Sequence, residues 1–177
     1  IMKRDDSPAA DLREDLTAKI EDLVATHPGN LDEAGYRYFD TPLVGFASAS
    51  DDLFREYKRI IGPFHWTPSE ALEQVDVPCG TRAGTVICWV LPITGPTRLS
   101  NAMQERHPSR QWARTRNFGE RFNDVVRQEI TDFIMARNGY AVAPMLSDLW
   151  KRADDSGAGL ASSWSERTRA PSTVSSP

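Results

Sequence analysis

Apolar residues recur at helical spacing near the start of the chain, where Leu12, Leu16, Ile20, Leu23 and Val24 share one face. Ser7-Pro8 supplies an N-cap with proline at the first helical position, and Gly29 stops the helix after His27-Pro28, so residues 1–30 are predicted as an amphipathic helical segment. Tyr36, Tyr38 and Phe39 then lead into the short apolar run Pro42–Ala47, which suits a buried strand. Ser50-Asp51-Asp52 caps a helix carrying Leu53, Phe54, Tyr57, Ile60 and Ile61 and closed by Gly62-Pro63, and Thr67-Pro68-Ser69-Glu70 is a capping box that opens a further turn of helix.

The run Gly84–Pro92 is continuous, β-branched and closed by proline, which predicts a central strand covered on both faces. Thr94–Thr115 is polar and too long for a simple turn, and reads as a functional or partly ordered excursion. From Asn117, Phe118, Phe122, Val125, Val126, Ile130, Phe133 and Ile134 keep helical spacing until Gly139, then Tyr140–Pro144 is predicted as a strand and Ser147–Trp150 as a short helix. Helix followed at once by strand argues an α/β (α+β) class. Residues 154–177 hold few large apolar side chains beyond Leu160 and Trp164 and are expected to be unfolded. No internal repeat is found.

Composition narrows the function classes. Of 177 residues, 40% are hydrophobic and 26% charged, with no apolar run long enough for a bilayer span. The net charge of −4 removes the general attraction a nonspecific nucleic-acid or anionic-membrane binder needs. Ile1–Arg4 is basic, but Asp5-Asp6-Ser7-Pro8 follows where a signal peptide would be apolar, so a cytoplasmic location is expected. With only Cys79 and Cys88, no disulfide scaffold or cysteine-built metal module is available, and His27, His65 and His107 lack ligand spacing, so no metal site is expected. Cys88 reads as an inert buried thiol and Cys79 as an exposed one without an activating neighbour. Neither a glycine-rich phosphate loop nor G-x-S-x-G is present.

Arg106, Arg110 and Arg114 recur at i, i+4, i+8, with Trp112, Arg116 and Arg121 close by. On a helix, three guanidiniums on one face would suit phosphate or carboxylate groups of a ligand, an acidic partner or, in sharper form, RNA. A solvated face balanced by Glu105 and Glu120 accounts for the same pattern.

Three stretches together carry a resemblance: Val86-Ile87-Cys88-Trp89-Val90-Leu91-Pro92, Arg116-Asn117-Phe118-Gly119-Glu120-Arg121-Phe122-Asn123, and Ser162-Ser163-Trp164-Ser165-Glu166-Arg167. They resemble the N-terminal domain of the epoxyqueuosine reductase and reductive dehalogenase group of iron-sulfur oxidoreductases, over roughly residues 31–167. The resemblance implies a nitroreductase-like α/β domain over residues 31–153, a mixed sheet flanked by helices that holds cobalamin, followed by a ferredoxin-like domain with two [4Fe-4S] clusters. It also implies cofactor contacts at Arg116, Gly119, Phe122 and Asn123, with Gly119 permitting close approach and Phe122 and Asn123 stacking on and bonding to the ligand. Packing at a helix start would place the same residues equally well. Arg110, Arg114, Glu166 and Arg167 are implied at the substrate site or the domain junction. The C-x2-C-x2-C-x3-C-P run of such clusters is not in these 177 residues, and Thr168–Pro177 does not continue the family's glycine-rich stretch, so a truncated domain lacking its electron-transfer half is expected. Phe122-Asn123 stands where epoxyqueuosine reductases carry Tyr-His. Leu160 aligns with their proton-donating Asp, leaving Asp155 as a shifted candidate. Leucine cannot donate a proton, so a less characterised branch of the group fits better than the reductase itself.

Overall fold

The computed structural model of the chain describes residues 8–156 and 159–166. They form α1 (Pro8–Thr26), β1 (Leu43–Ser48), α2 (Asp52–Ile61), α3 (Pro68–Leu72), β2 (Thr85–Val90), α4 (Gly95–Ala102), α5 (Arg110–Met135), β3 (Arg152–Ser156) and β4 (Gly159–Ser162). Helices and strands share the chain, as the mixed pattern predicts, and the strands pair two by two, β1 with β2 and β3 with β4. The chain divides into two compact units, residues 1–44 with 89–130 and residues 45–88 with 131–177, a division other than the predicted boundaries after residues 30 and 153.

In the first unit, the apolar stripe of α1 buries Leu16, Ile20, Leu23 and Val24, while Leu12 stays exposed. Its predicted N-cap, Ser7, lies outside the described residues. The helix gives way to a 3-10 turn, Pro28–Asn30, capped by the Gly29 N–H donating to His27 Nδ1. Asn30 is buried and fully bonded: its Nδ2 donates to the carbonyls of Val24 and Phe39, and its Oδ1 accepts from Phe39 N at 3.0 Å. One side chain thereby joins the end of α1 to the segment that carries Tyr38 and Phe39. The α5 residues Phe122, Val126 and Ile130 are buried too, with the Phe39 and Phe122 rings stacked at 6.3 Å. Arg127 is also buried, its Nη1 bonded to Glu120 Oε1 at 2.9 Å and to Asp124, so its charge enters the interior already paired.

In the second unit, Ala49, Phe54 and Val86 form a small core against which Tyr57 and Ala83 pack. Asp51 caps α2 by accepting from Leu53 N, and the helix ends at Gly62, whose φ of 140° a residue with a Cβ rarely adopts. The predicted capping box at Thr67 and Glu70 forms in full. Lys58 then donates to Glu70 at 2.6 Å, linking α2 to α3.

Several expected elements change. β2 is not a central strand: in a two-stranded sheet each strand is an edge, and of its residues only Val86 is buried. Accordingly Cys88 is half-buried, its thiol turned to the Gly45 carbonyl. The polar excursion is largely helical. Pro96 opens α4, and α5 begins at Arg110 rather than Asn117 because Ser109 caps it, accepting from Trp112 N on its hydroxyl and from Ala113 N on its carbonyl. A Ser100–Ser109 bond and the Asn101 bond to Ser109 N connect the two helices.

Residues 140–143 form no strand, and Pro144–Leu146 is a 3-10 turn; 147–150 make a turn rather than a helix. An apolar run becomes a strand only where another strand supplies its hydrogen bonds, and β1 and β2 are paired to each other.

Of the segment expected to be unfolded, residues 154–156 and 159–166 are described, and they are structured. β3 and β4 pair antiparallel with Arg152 opposite Ser162 and Ala153 opposite Ala161, and a bulge follows. Beyond the hairpin, Trp164 is buried, its carbonyl accepting from Trp150 Nε1, while the Ser163 carbonyl accepts from Trp66 N at 2.7 Å. The predicted unfolded end from Arg167 to Pro177 lies outside the described residues.

Candidate functional site

The two longer stretches of the resemblance meet in the first unit. Trp89, near the end of β2, donates its indole N–H to Oδ1 of Asn123, in the middle of α5, at 2.9 Å. Both side chains are half-buried, and both sit on regular elements. An indole nitrogen can only donate, so the partner atom must be the amide oxygen, and the amide NH2 faces elsewhere. Among the described residues it meets no acceptor.

Along α5 the arginines fall into distinct settings. Arg114 is held by Glu33 at 3.3 Å and by Asp32 at 3.7 Å, and its acidity is weakened further by the Glu33 hydrogen bond, despite some desolvation, so it stays cationic. Asp32 is itself fixed, its Oδ1 accepting from the backbone of Ala34 and Tyr36. Arg121 lies over the Phe118 ring at 5.3 Å, and that ring stacks on Tyr38. Arg110 and Arg116 are exposed with no carboxylate partner among the described residues. Arg116 and Asn123 stand two turns apart on one helix face, about 10 Å along the axis.

Comparison with protein-family models, curated proteins and solved structures finds no match.

The sites implied by resemblance divide accordingly. Arg116 and Asn123 remain available to a ligand. Gly119 does not provide room for one: it lies inside α5, buried, and a Cβ placed there would stand 2.5 Å from the Phe39 ring. Phe122 is a core residue at 1% exposure, packed between Phe39 and His27, so it stacks on the protein's own rings. The stretch Arg116–Asn123 is the interior of a helix, not a turn that opens one. Arg106 precedes α5, so the expected three-arginine face reduces to Arg110 and Arg114, and Arg114 is occupied by Asp32 and Glu33. The balancing role expected of Glu120 goes to Arg127 instead.

Glu166 is exposed in the second unit, and Arg167 lies outside the described residues. Leu160 is exposed on β4, and Asp155 falls within β3. Cys79 is exposed. Among the described residues no group of three or more His, Cys, Asp or Glu is placed to hold a metal ion, and no helix is long and apolar enough to cross a membrane.

Sequence reasoning singled out Asn123 but not Trp89, Asp32 or Glu33. Trp89 read as one more apolar residue of a strand; its polar edge matters only once α5 brings an amide to it.

Proposed function

We infer that this chain is a small-molecule-binding domain of an oxidoreductase of the epoxyqueuosine reductase-like iron-sulfur group, with a nitroreductase-like fold and a cytoplasmic location, and that it binds a cofactor or substrate at the Trp89–Asn123 pair. The observation that supports this reading is the 2.9 Å hydrogen bond joining two sequence stretches that together carry the resemblance. In this reading electrons reach the bound cofactor from the [4Fe-4S] clusters of a ferredoxin-like domain, since Cys79 and Cys88 are too few to ligate a cluster.

Cobalamin is the cofactor the resemblance implies, and the donor chemistry fits. Its corrin ring is rimmed by carboxamides, whose oxygens would accept from the Asn123 NH2 while Arg116, on the same helix face, would suit its phosphate. When bound, it would supply the electron-transfer chemistry the protein side chains lack. Hydroxocobalamin titration followed in the visible spectrum tests the reading. A saturable change that Asn123→Ala weakens supports it, and an unchanged spectrum overturns it.

A second reading rests on the exposed Arg110 and Arg116. They would serve a non-enzymatic module that docks an acidic partner or RNA. Binding of such a polyanion would fall steeply between low and moderate salt, whereas cobalamin binding without polyanion affinity would exclude it.

A further inference from the structure

An asparagine amide is nearly symmetric in shape but opposite in polarity at its two ends. Left alone, Asn123 could turn either its oxygen or its NH2 towards a ligand, and would bind donors and acceptors alike. Trp89 removes that freedom. Its indole N–H, 2.9 Å from Asn123 Oδ1, would face another N–H if the amide flipped, losing a hydrogen bond and opposing two donors.

The neighbouring groups on α5 do not reverse this preference. Glu120, one turn before Asn123, has its Oε1 engaged by Arg127, and Arg127 is itself a donor that cannot accept from the Asn123 NH2. Arg116, further along the same face, is a second exposed donor. Asn123 NH2 and Arg116 are donors on this face, next to the Glu120 and Asp124 carboxylates that Arg127 engages, and a strand and a helix hold the Trp89–Asn123 pair.

We propose that Trp89 is a positioning residue which locks the Asn123 amide in one orientation and so makes this site selective for ligand carbonyl or carboxamide oxygens. The proposal rests on the reading that Asn123 meets a ligand. It names the ligand chemistry, which cobalamin is only one way to supply.

The test uses 15N-labelled protein and N,N-dimethylacetamide, a carboxamide that can accept but not donate. In the free wild-type protein the Trp89 indole proton exchanges slowly and both Asn123 NH2 protons exchange readily with water. Titration shifts the Asn123 NH2 resonances. In Trp89→Phe the shift falls about 3- to 10-fold, the size expected from one net hydrogen bond. Asn123→Asp keeps an oxygen for the indole but replaces the donors with a carboxylate. It retains the protected Trp89 proton, which reports an intact fold, while hydroxocobalamin affinity drops more than about 10-fold.

Asn123 NH2 protons protected in the free protein would reveal an internal acceptor and overturn the proposal, as would an unchanged dimethylacetamide response in Trp89→Phe. If hydroxocobalamin does not bind the wild type but dimethylacetamide moves the Asn123 signals in a Trp89-dependent way, the cobalamin reading falls and the proposal stands.

Discussion

Gly119 and Phe39 meet so closely that a methyl group at position 119 would stand 2.5 Å from the phenyl ring. Helix propensity alone would favour Gly119→Ala by about 1 kcal/mol, yet the ring is flanked by Phe122 and cannot retreat freely. Overpacking of this kind costs about 1–3 kcal/mol. Gly119→Ala should therefore destabilise the protein in a urea titration, and Phe39→Leu in the same chain should recover part of the loss.

Asn30 satisfies three backbone groups from a position 1% exposed. Alanine would leave the Phe39 N–H and the Val24 and Phe39 carbonyls without this partner. At about 1–3 kcal/mol for each of the three buried groups left unsatisfied, Asn30→Ala should cost at least about 3 kcal/mol. Circular dichroism on chemical unfolding checks this, and Asn30→Asp, which turns a carboxylate oxygen towards the Val24 and Phe39 carbonyls, should destabilise at least as much at pH 7.

Glu70 titrates below the ordinary carboxylate range. Burial alone would raise its pKa, but hydrogen bonds from Lys58 and Thr67, aided by the Lys58 charge, outweigh that effect. A carboxyl group whose folded pKa is depressed adds stability above its unfolded value of about 4.3, and this is lost as pH falls through the folded pKa. Stability measured from pH 7 down to pH 3 should thus decline below about pH 4.3, and Glu70→Gln should flatten that part of the curve. Because Glu70 is over a third exposed, the effect should be small and weaken in salt.

Trp164 tests whether the serine-rich end belongs to the folded protein. Its buried ring lies just beyond β4, and its carbonyl accepts from Trp150. Trp164→Ala should cost about 3–5 kcal/mol, with faster amide exchange at Trp66 and Lys151, which bond to Ser163. Wild-type stability in this variant would show the segment to be dispensable.

Capping was the most legible signal. Asp51, Thr67 and Glu70 act as their sequence context predicts, because a cap is built from residues within one turn of each other. The apolar stripes of α1 and of the second half of α5 were legible for the same reason. Serine was harder to read: Ser109 opens α5 inside a polar stretch whose helical face buries only Thr115 before Gly119, so periodicity had little to report. The C-terminal strand pair was missed because its anchoring includes hydrogen bonds to His65 and Trp66, remote in sequence and silent in composition.

By itself, the sequence determined where helices can begin and end, which faces are apolar, and which donors and acceptors are available. Those properties are local, set by the covalent chemistry of neighbouring residues. Tertiary structure alone decided that β2 is an edge, that Gly119 and Phe122 pack inward, that Arg114 answers to Asp32 and Glu33, and that Trp89 reaches Asn123. The physical reason is the same in each case: burial, charge pairing and amide orientation depend on a second group far along the chain, and only folding supplies it.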